Sequence, residues 1–359
     1  MESTRPVKQL SRGEGASVHR YYDVPVESPD STRVLYFEFD GGIPGSGSVI
    51  VAGADGSGPK VVGRCEQGAI GHVGALQMWL DDRTICFRPH GHASDITRIL
   101  SLVDGSYQDV AGDFRSFSEI TAKAAMFRNP YEGEDEFLRY QRPLLGIYDP
   151  ADDSFRDLIT LQQAADAHPA DIDLSRMNMM NAKFSPGGKS LFVVFTDEIY
   201  CRRPGEQRSI KSLIHADIDS GEIRYLGEFS HHPMWAPDGL SVIAHVVHDN
   251  GQDLMRYSPT GAGEPEVMIR NFVGVHTSLN RAQTYVVTDA FETPTEHEAS
   301  ILLYALSTGK PETLAHGRHE RHDHKGGCHS HPQWSRDESR IFFNLSDTGT
   351  PQLYATEMH

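Results

Sequence analysis

Trp235–Val247 reads WAPDGLSVIAHVV: an aromatic residue, a Pro-Asp-Gly turn, then a run of apolar and β-branched residues. Proline pre-sets φ for the turn, while Asp and Gly tolerate the backbone that a tight hairpin needs. The apolar run behind it has the length and composition of a buried strand. The pattern recurs as ESPDSTRVLYFEF from Glu27, WLDDRTICFR from Trp79, FSPGGKSLFVVF from Phe184, LNRAQTYVVTD from Leu279 and WSRDESRIFFNL from Trp334. After most copies comes a second hairpin around a D-G or S-G turn, as in SVIVAGADGSG, SLIHADIDSGEIRYL and ILLYALSTGKPETL. Four strands per unit, with a period of about 40–50 residues, is the pattern of β-propeller blades.

Seven units begin near residues 18, 71, 114, 177, 230, 274 and 328. They predict an all-β chain, a seven-bladed β-propeller forming a single domain over residues 1–359. The third unit lacks the turn motif and carries the insertion NPYEGEDEFLRYQRP; LQQAADAHPADIDLS, ahead of the fourth, predicts a short helix or loop. The last unit stops after its third strand, QLYATEM. PVKQLSRG at residues 6–13 is the expected fourth strand, closing the ring and removing a sheet edge.

Composition narrows the function. No apolar run approaches the about 18–20 residues that span a bilayer, and MESTRPVKQLSRGEG lacks the apolar centre of a secretory signal. A cytoplasmic protein is expected. A net charge of -17 argues against nucleic acid or an anionic membrane as partner. Cys65, Cys86, Cys201 and Cys328 show no CxxC spacing, so neither a disulfide framework nor a thiolate zinc site is predicted. There is no GxSxG elbow and no Gly-rich phosphate loop between strand and helix. Acidic pairs such as Asp81 and Asp82 fall in turns, away from a glycosidase arrangement.

Histidine is out of proportion, with nineteen in the chain. Six lie between residues 316 and 331; of these, His316, His319 and His322 sit in AHGRHERHDHKGG, which reads as a solvated loop. In a propeller, the residues opening each inner strand cluster at one mouth of the channel. Here those openings carry His19 and Arg20, His72 and Gln77, Asn178 and Asn181, His231 and His232, His276, and His329 and His331. An HxH pair on a strand places both imidazoles on one face. With His276 from a neighbouring blade, His329 and His331 would make a three-nitrogen site, and imidazole suits several divalent metals.

These segments resemble the oligogalacturonate lyase family, seven-bladed propeller enzymes of pectin breakdown, most clearly from about residue 177 onward. VHRYY resembles the family's His-Arg-aromatic opening, and SHHPMWAPDG the segment bearing its catalytic histidine, which maps onto His232. VHTSLN followed by VVTD resembles the segment of one metal ligand, His276; CHSHPQWSRDESRIFFNL resembles the last blade, whose HxHP ligands map onto His329 and His331. The resemblance implies manganese as the cofactor. Two positions depart: the family's glutamine ligand falls on Gly326, and its catalytic arginine has only Arg208 and Lys211 nearby. A water, Asp323 or His324 are the candidate replacements for the glutamine.

The expected reaction is β-elimination on a small anionic oligosaccharide, an oligogalacturonide or related oligouronide. His232 would be the base, with His231 as the alternative, and Lys211 the cationic catalytic partner. Arg20, His19, His72 and Asn181 are the substrate-binding candidates. Because neighbouring residues of a strand face opposite ways, only one of His231 and His232 is expected to point inward. A monomer or small homo-oligomer is expected. The competing expectations are a metal-dependent hydrolase or lactonase using metal-bound water, a lyase for another sugar acid, and a non-catalytic propeller scaffold.

Overall fold

A computed structural model describes residues 1–129, 143–197, 210–261, 263–291, 298–319, 327–347 and 349–358. The described residues form seven antiparallel sheets, five of them meanders of consecutive strands and two that also take a strand from the N-terminus, and the fold is a seven-bladed all-β propeller. The chain falls into two compact units, Met1–Val110 with Val273–His359, and Ala111–Phe272. The first holds blades one, two, six and seven, the second blades three, four and five. Among the described residues no helix is long and apolar enough to cross a membrane.

The apolar runs are continuous where a blade is covered on both faces, as the first and fourth are. In blade four, Leu191, Phe192, Val193, Val194 and Phe195 are all fully buried. Leu191, Val193 and Phe195 face one core, with Phe127 and Leu145 of blade three; Phe192 and Val194 face another, with Trp235 and Val242 of blade five. The first unit repeats the arrangement, with Val34 and Tyr36 of blade one packed against Phe342 and Leu353 of blade seven. Truncating such a phenylalanine to alanine costs about 3–5 kcal/mol.

The three tryptophans of the turn motifs share one task. Trp79 Nε1 donates to the Val26 carbonyl at 2.9 Å, Trp235 Nε1 to Lys183 at 2.9 Å and Trp334 Nε1 to Ser278 at 3.2 Å. Each acceptor directly precedes the turn motif of the preceding blade, so the indole pins one blade's turn to the next. In blade one the equivalent residue is Glu27, buried and charged. Its carboxylate accepts from Arg340 Nη2 and from the Arg336 amide, both at 2.7 Å, so an ion pair joins blades seven and one.

Val7–Gln9 pairs with Gln352–Glu357 and completes the seventh blade, as expected. Ahead of it, Glu2–Ser3 adds an unforeseen fifth strand to blade six, on the edge of Lys310–Arg318. Blade three forms all four strands without the turn motif: Asp113–Ser118, Lys123–Arg128, Leu144–Asp149 and Ser154–Thr160. Most of its insertion lies outside the described residues. The segment before blade four is the helix Leu161–Ala167, started by a capping box between Thr160 and Gln163.

Candidate metal centre

His276 stands just before the strand Thr277–Leu279, while His329 and His331 belong to an irregular stretch ahead of the two-residue strand Gln333–Trp334. One ligand atom from each lies within 4.8 Å of the other two. The HxH pair therefore does not converge by strand alternation, as expected from sequence; its residues are not in a strand. His331 has a left-handed backbone (φ 46°), and that twist sets the direction of its ring.

Hydrogen bonds select the nitrogens. His276 Nδ1 lies 2.8 Å from Asp289 Oδ2, and the His276 amide donates to Asp289 Oδ1 at 2.8 Å. His331 Nδ1 donates to the Arg20 carbonyl at 2.9 Å, which turns its buried Nε2 to the other side of the ring. The His331 amide also reaches Asp289 Oδ2, at 3.3 Å. His329 Nδ1 faces His276 Nε2 at 3.4 Å. Two imidazole nitrogens bound to one ion at about 2 Å stand roughly 3 Å apart, so these residues fit a divalent cation. The carboxylate behind a ligand imidazole is the arrangement that fixes tautomer and orientation at metal sites.

The charges agree. Burial alone would raise the Asp289 pKa, but the adjacent His276 and the hydrogen bonds it donates keep it below the usual carboxylate value. Burial, followed by the neighbouring His276, His329, His19 and His72, pulls the His331 pKa well below its ordinary value. The ring is thus neutral, the form a metal binds. Asp289 was not singled out from sequence; the signal available was an aspartate inside the apolar strand Tyr285–Phe291.

Around the three rings, Tyr21 lies 4.7 Å from His331 and Tyr22 5.6 Å from His276, between centroids. His72 lies 5.3 Å from His329 and His19 6.0 Å from His331. The His19 pKa is lowered to about 4, chiefly by burial. Gln333 donates to His19 Nδ1 and to the Val24 carbonyl, both at 3.1 Å, holding the loop that carries the two tyrosines. Arg20 is buried, with Nη1 donating to the Leu76 carbonyl at 2.8 Å. His319 corrects the solvated-loop expectation: it is 2% exposed, packed 4.7 Å from Phe291 and 6.2 Å from His329. His322, His324, Asp323 and Gly326 lie outside the described residues, as does Cys201; Cys65, Cys86 and Cys328 are buried thiols outside any disulfide.

The remaining candidates belong to the second unit. His232 is in the strand His231–Trp235 with a left-handed backbone (φ 50°), and the register breaks between His231 and Met234. Strict alternation, expected to separate His231 from His232, does not hold there: their rings are 5.7 Å apart and tilted by only 37°. Asn181, also left-handed, sits at a matching bulge in blade four. Lys211 opens the strand Lys211–Asp217, with Nζ 5.6 Å from the Phe229 ring centroid; Arg208 lies outside the described residues. Sequence reasoning passed over Lys183, whose buried Nζ donates to the Pro233 carbonyl at 2.9 Å, next to His232 in the chain. It also passed over His245, fully buried, with its ring 5.9 Å from His232.

A solved oligogalacturonate lyase in complex with manganese superposes on 100% of this chain and 94% of its own, with a TM-score of 0.71 and 13% identity. The oligogalacturonate lyase of Vibrio parahaemolyticus covers 100% of this chain and 96% of its own, with a TM-score of 0.69 and 13% identity. The fold is that of the oligogalacturonate lyases. The β-propeller domain of Cps50 (Swd1) from Myceliophteria thermophila matches less well, with a TM-score of 0.56 and 9% identity over 96% of this chain and 99% of that domain. No protein-family model and no curated protein sequence matches the chain.

Proposed function

We propose that this chain is a metal-dependent lyase that cleaves oligogalacturonides or related oligouronides by β-elimination. The observation that carries the proposal is the set His276, His329 and His331, oriented by Asp289 and the Arg20 carbonyl, in a chain with the oligogalacturonate lyase fold. Elimination requires loss of the C5 proton, which is barely acidic beside a carboxylate. When bound, a divalent ion, manganese as in the lyase structure, supplies positive charge against that carboxylate and against the charge developing in the transition state.

The chain's own residues do the rest. His276 and His331 through Nε2, and His329 through Nδ1, would hold the ion. A neutral His232 removes the C5 proton, the C4–C5 double bond forms, and the glycosidic bond at C4 breaks as the leaving oxygen departs. Lys211 offers a cation for the anionic sugar.

The test is ultraviolet absorbance during incubation of the manganese-loaded protein with oligogalacturonides. A rise from the conjugated 4,5-unsaturated product is expected, abolished by H331A. A flat trace from the wild-type protein, with metal content verified and several oligouronides tried, would overturn the proposal.

A further inference from the structure

We infer that His72 is a fourth imidazole ligand of the metal, an inference that rests on the His276, His329 and His331 centre proposed above. The His72 ring centroid is 5.3 Å from that of His329, with the planes 31° apart, and 6.3 Å from that of His331. Separations within the trio are 4.3, 5.1 and 5.5 Å. The His72–His329 spacing thus falls inside the range that the ligand pairs themselves show. His72 stands beside the group whose donor atoms lie mutually within 4.8 Å without belonging to it, so the inference requires its half-buried side chain to turn toward the ion.

The backbone beneath it is fixed. His72 sits in a tight turn closed by the Ile70–Gly74 bridge, in which the Gly74 amide donates to the Ile70 carbonyl at 2.8 Å and the Val73 amide reaches it at 3.2 Å. Gly74 is left-handed (φ 59°), and a Cβ there would meet Phe37 Cβ at 2.6 Å. The turn therefore holds against blade one only with glycine, keeping His72 next to His329.

A fourth imidazole has a chemical consequence. Four nitrogen donors favour zinc, cobalt or nickel over manganese, which prefers oxygen donors. Where the resembling lyases place a glutamine, this chain has Gly326, and His72 brings nitrogen in place of a carboxamide oxygen.

The experiment is metal titration of the chelator-stripped, full-length protein with Zn²⁺, Co²⁺ and Mn²⁺ against a competing fluorescent chelator. It compares wild type with H72A, H72Q and H331A and records the visible spectrum of each cobalt form. H72A should lose roughly tenfold or more in zinc and cobalt affinity, with a smaller loss for manganese and a changed cobalt spectrum. H72Q, which offers a carbonyl oxygen, should narrow the zinc-to-manganese preference. Circular dichroism of the stripped variants controls for folding. Unchanged affinities and spectra in both His72 variants, with H331A impaired, would overturn the inference and leave the three-histidine centre standing. No metal binding by the wild type would overturn the centre and the inference together.

Discussion

Each compact unit contains a histidine cluster, and the two are built on different backbones. In the second unit His231 and His245 are cross-strand partners in an antiparallel ladder, with His232 displaced from it by a bulge. Successive ring centroids, His231 to His232 and His232 to His245, are 5.7 and 5.9 Å apart. In the first unit, His329 and His331 come from irregular backbone, and Asp289 and the Arg20 carbonyl stand behind two of the rings. Proximity of rings is common to both. Oriented acceptors behind His276 and His331 are what mark the first cluster as a candidate ligand set, and the role inferred for His72 rests on its standing beside that set. In the reaction proposed above, the ladder cluster instead offers an imidazole, His232, for proton transfer.

Four experiments break or sharpen this contrast. His232→Ala should lower the elimination rate by about 10²–10⁴-fold while leaving manganese affinity as in the wild type. A parallel loss of metal in an equilibrium dialysis assay would erase the division of labour between the clusters.

The next effect is on stability against pH. The His19 pKa is lowered from 6.5 to about 4, chiefly by burial, and burial also pulls that of His331 well below its ordinary value, so the fold favours their neutral forms. As pH falls, the unfolded chain takes up these protons first. The stability that His19 contributes is full above about pH 6.5 and is lost between there and about pH 4, roughly 3 kcal/mol for this ring alone. Urea midpoints of the chelator-treated protein across that window should fall; a flat profile would mean the rings are charged in the folded state.

Asp289→Asn tests the acceptor itself. Metal affinity should drop about 10–100-fold, since the variant no longer holds His276 by its carboxylate. Unchanged affinity in a chelator competition would show that ring placement suffices. The smallest effect belongs to the inter-blade links. Trp235→Phe in the second unit and Trp334→Phe in the first should each destabilise by about 1 kcal/mol, the net worth of one hydrogen bond. Markedly unequal denaturation midpoints would show that the repeated geometry carries unequal strain.

Much of the site was already marked in the repeat. Three residues before the first residue of the turn motif, blades four to seven carry Asn181, His232, His276 and His331. Leu76, Asn181, His232 and His331, at this same position, all have left-handed backbones. That conformation was not foreseen, because the expectation rested on strand alternation and a bulge suspends it. Blade three escaped its motif and still formed four strands, since burial against blade four replaces the missing turn chemistry.

The sequence by itself determined the seven units, the completion of the last blade by residues 7–9, and the three imidazoles of the candidate centre. Turn residues and apolar runs act over a few neighbours, so their message survives in one dimension. The tertiary structure alone decided that Asp289 stands behind His276, that Arg20 serves His331 through its carbonyl, that His319 is buried, and that His72 lies beside His329. Those relations join residues up to 311 positions apart. No local propensity encodes them; they follow from how the packed blades bring distant backbone segments to one place.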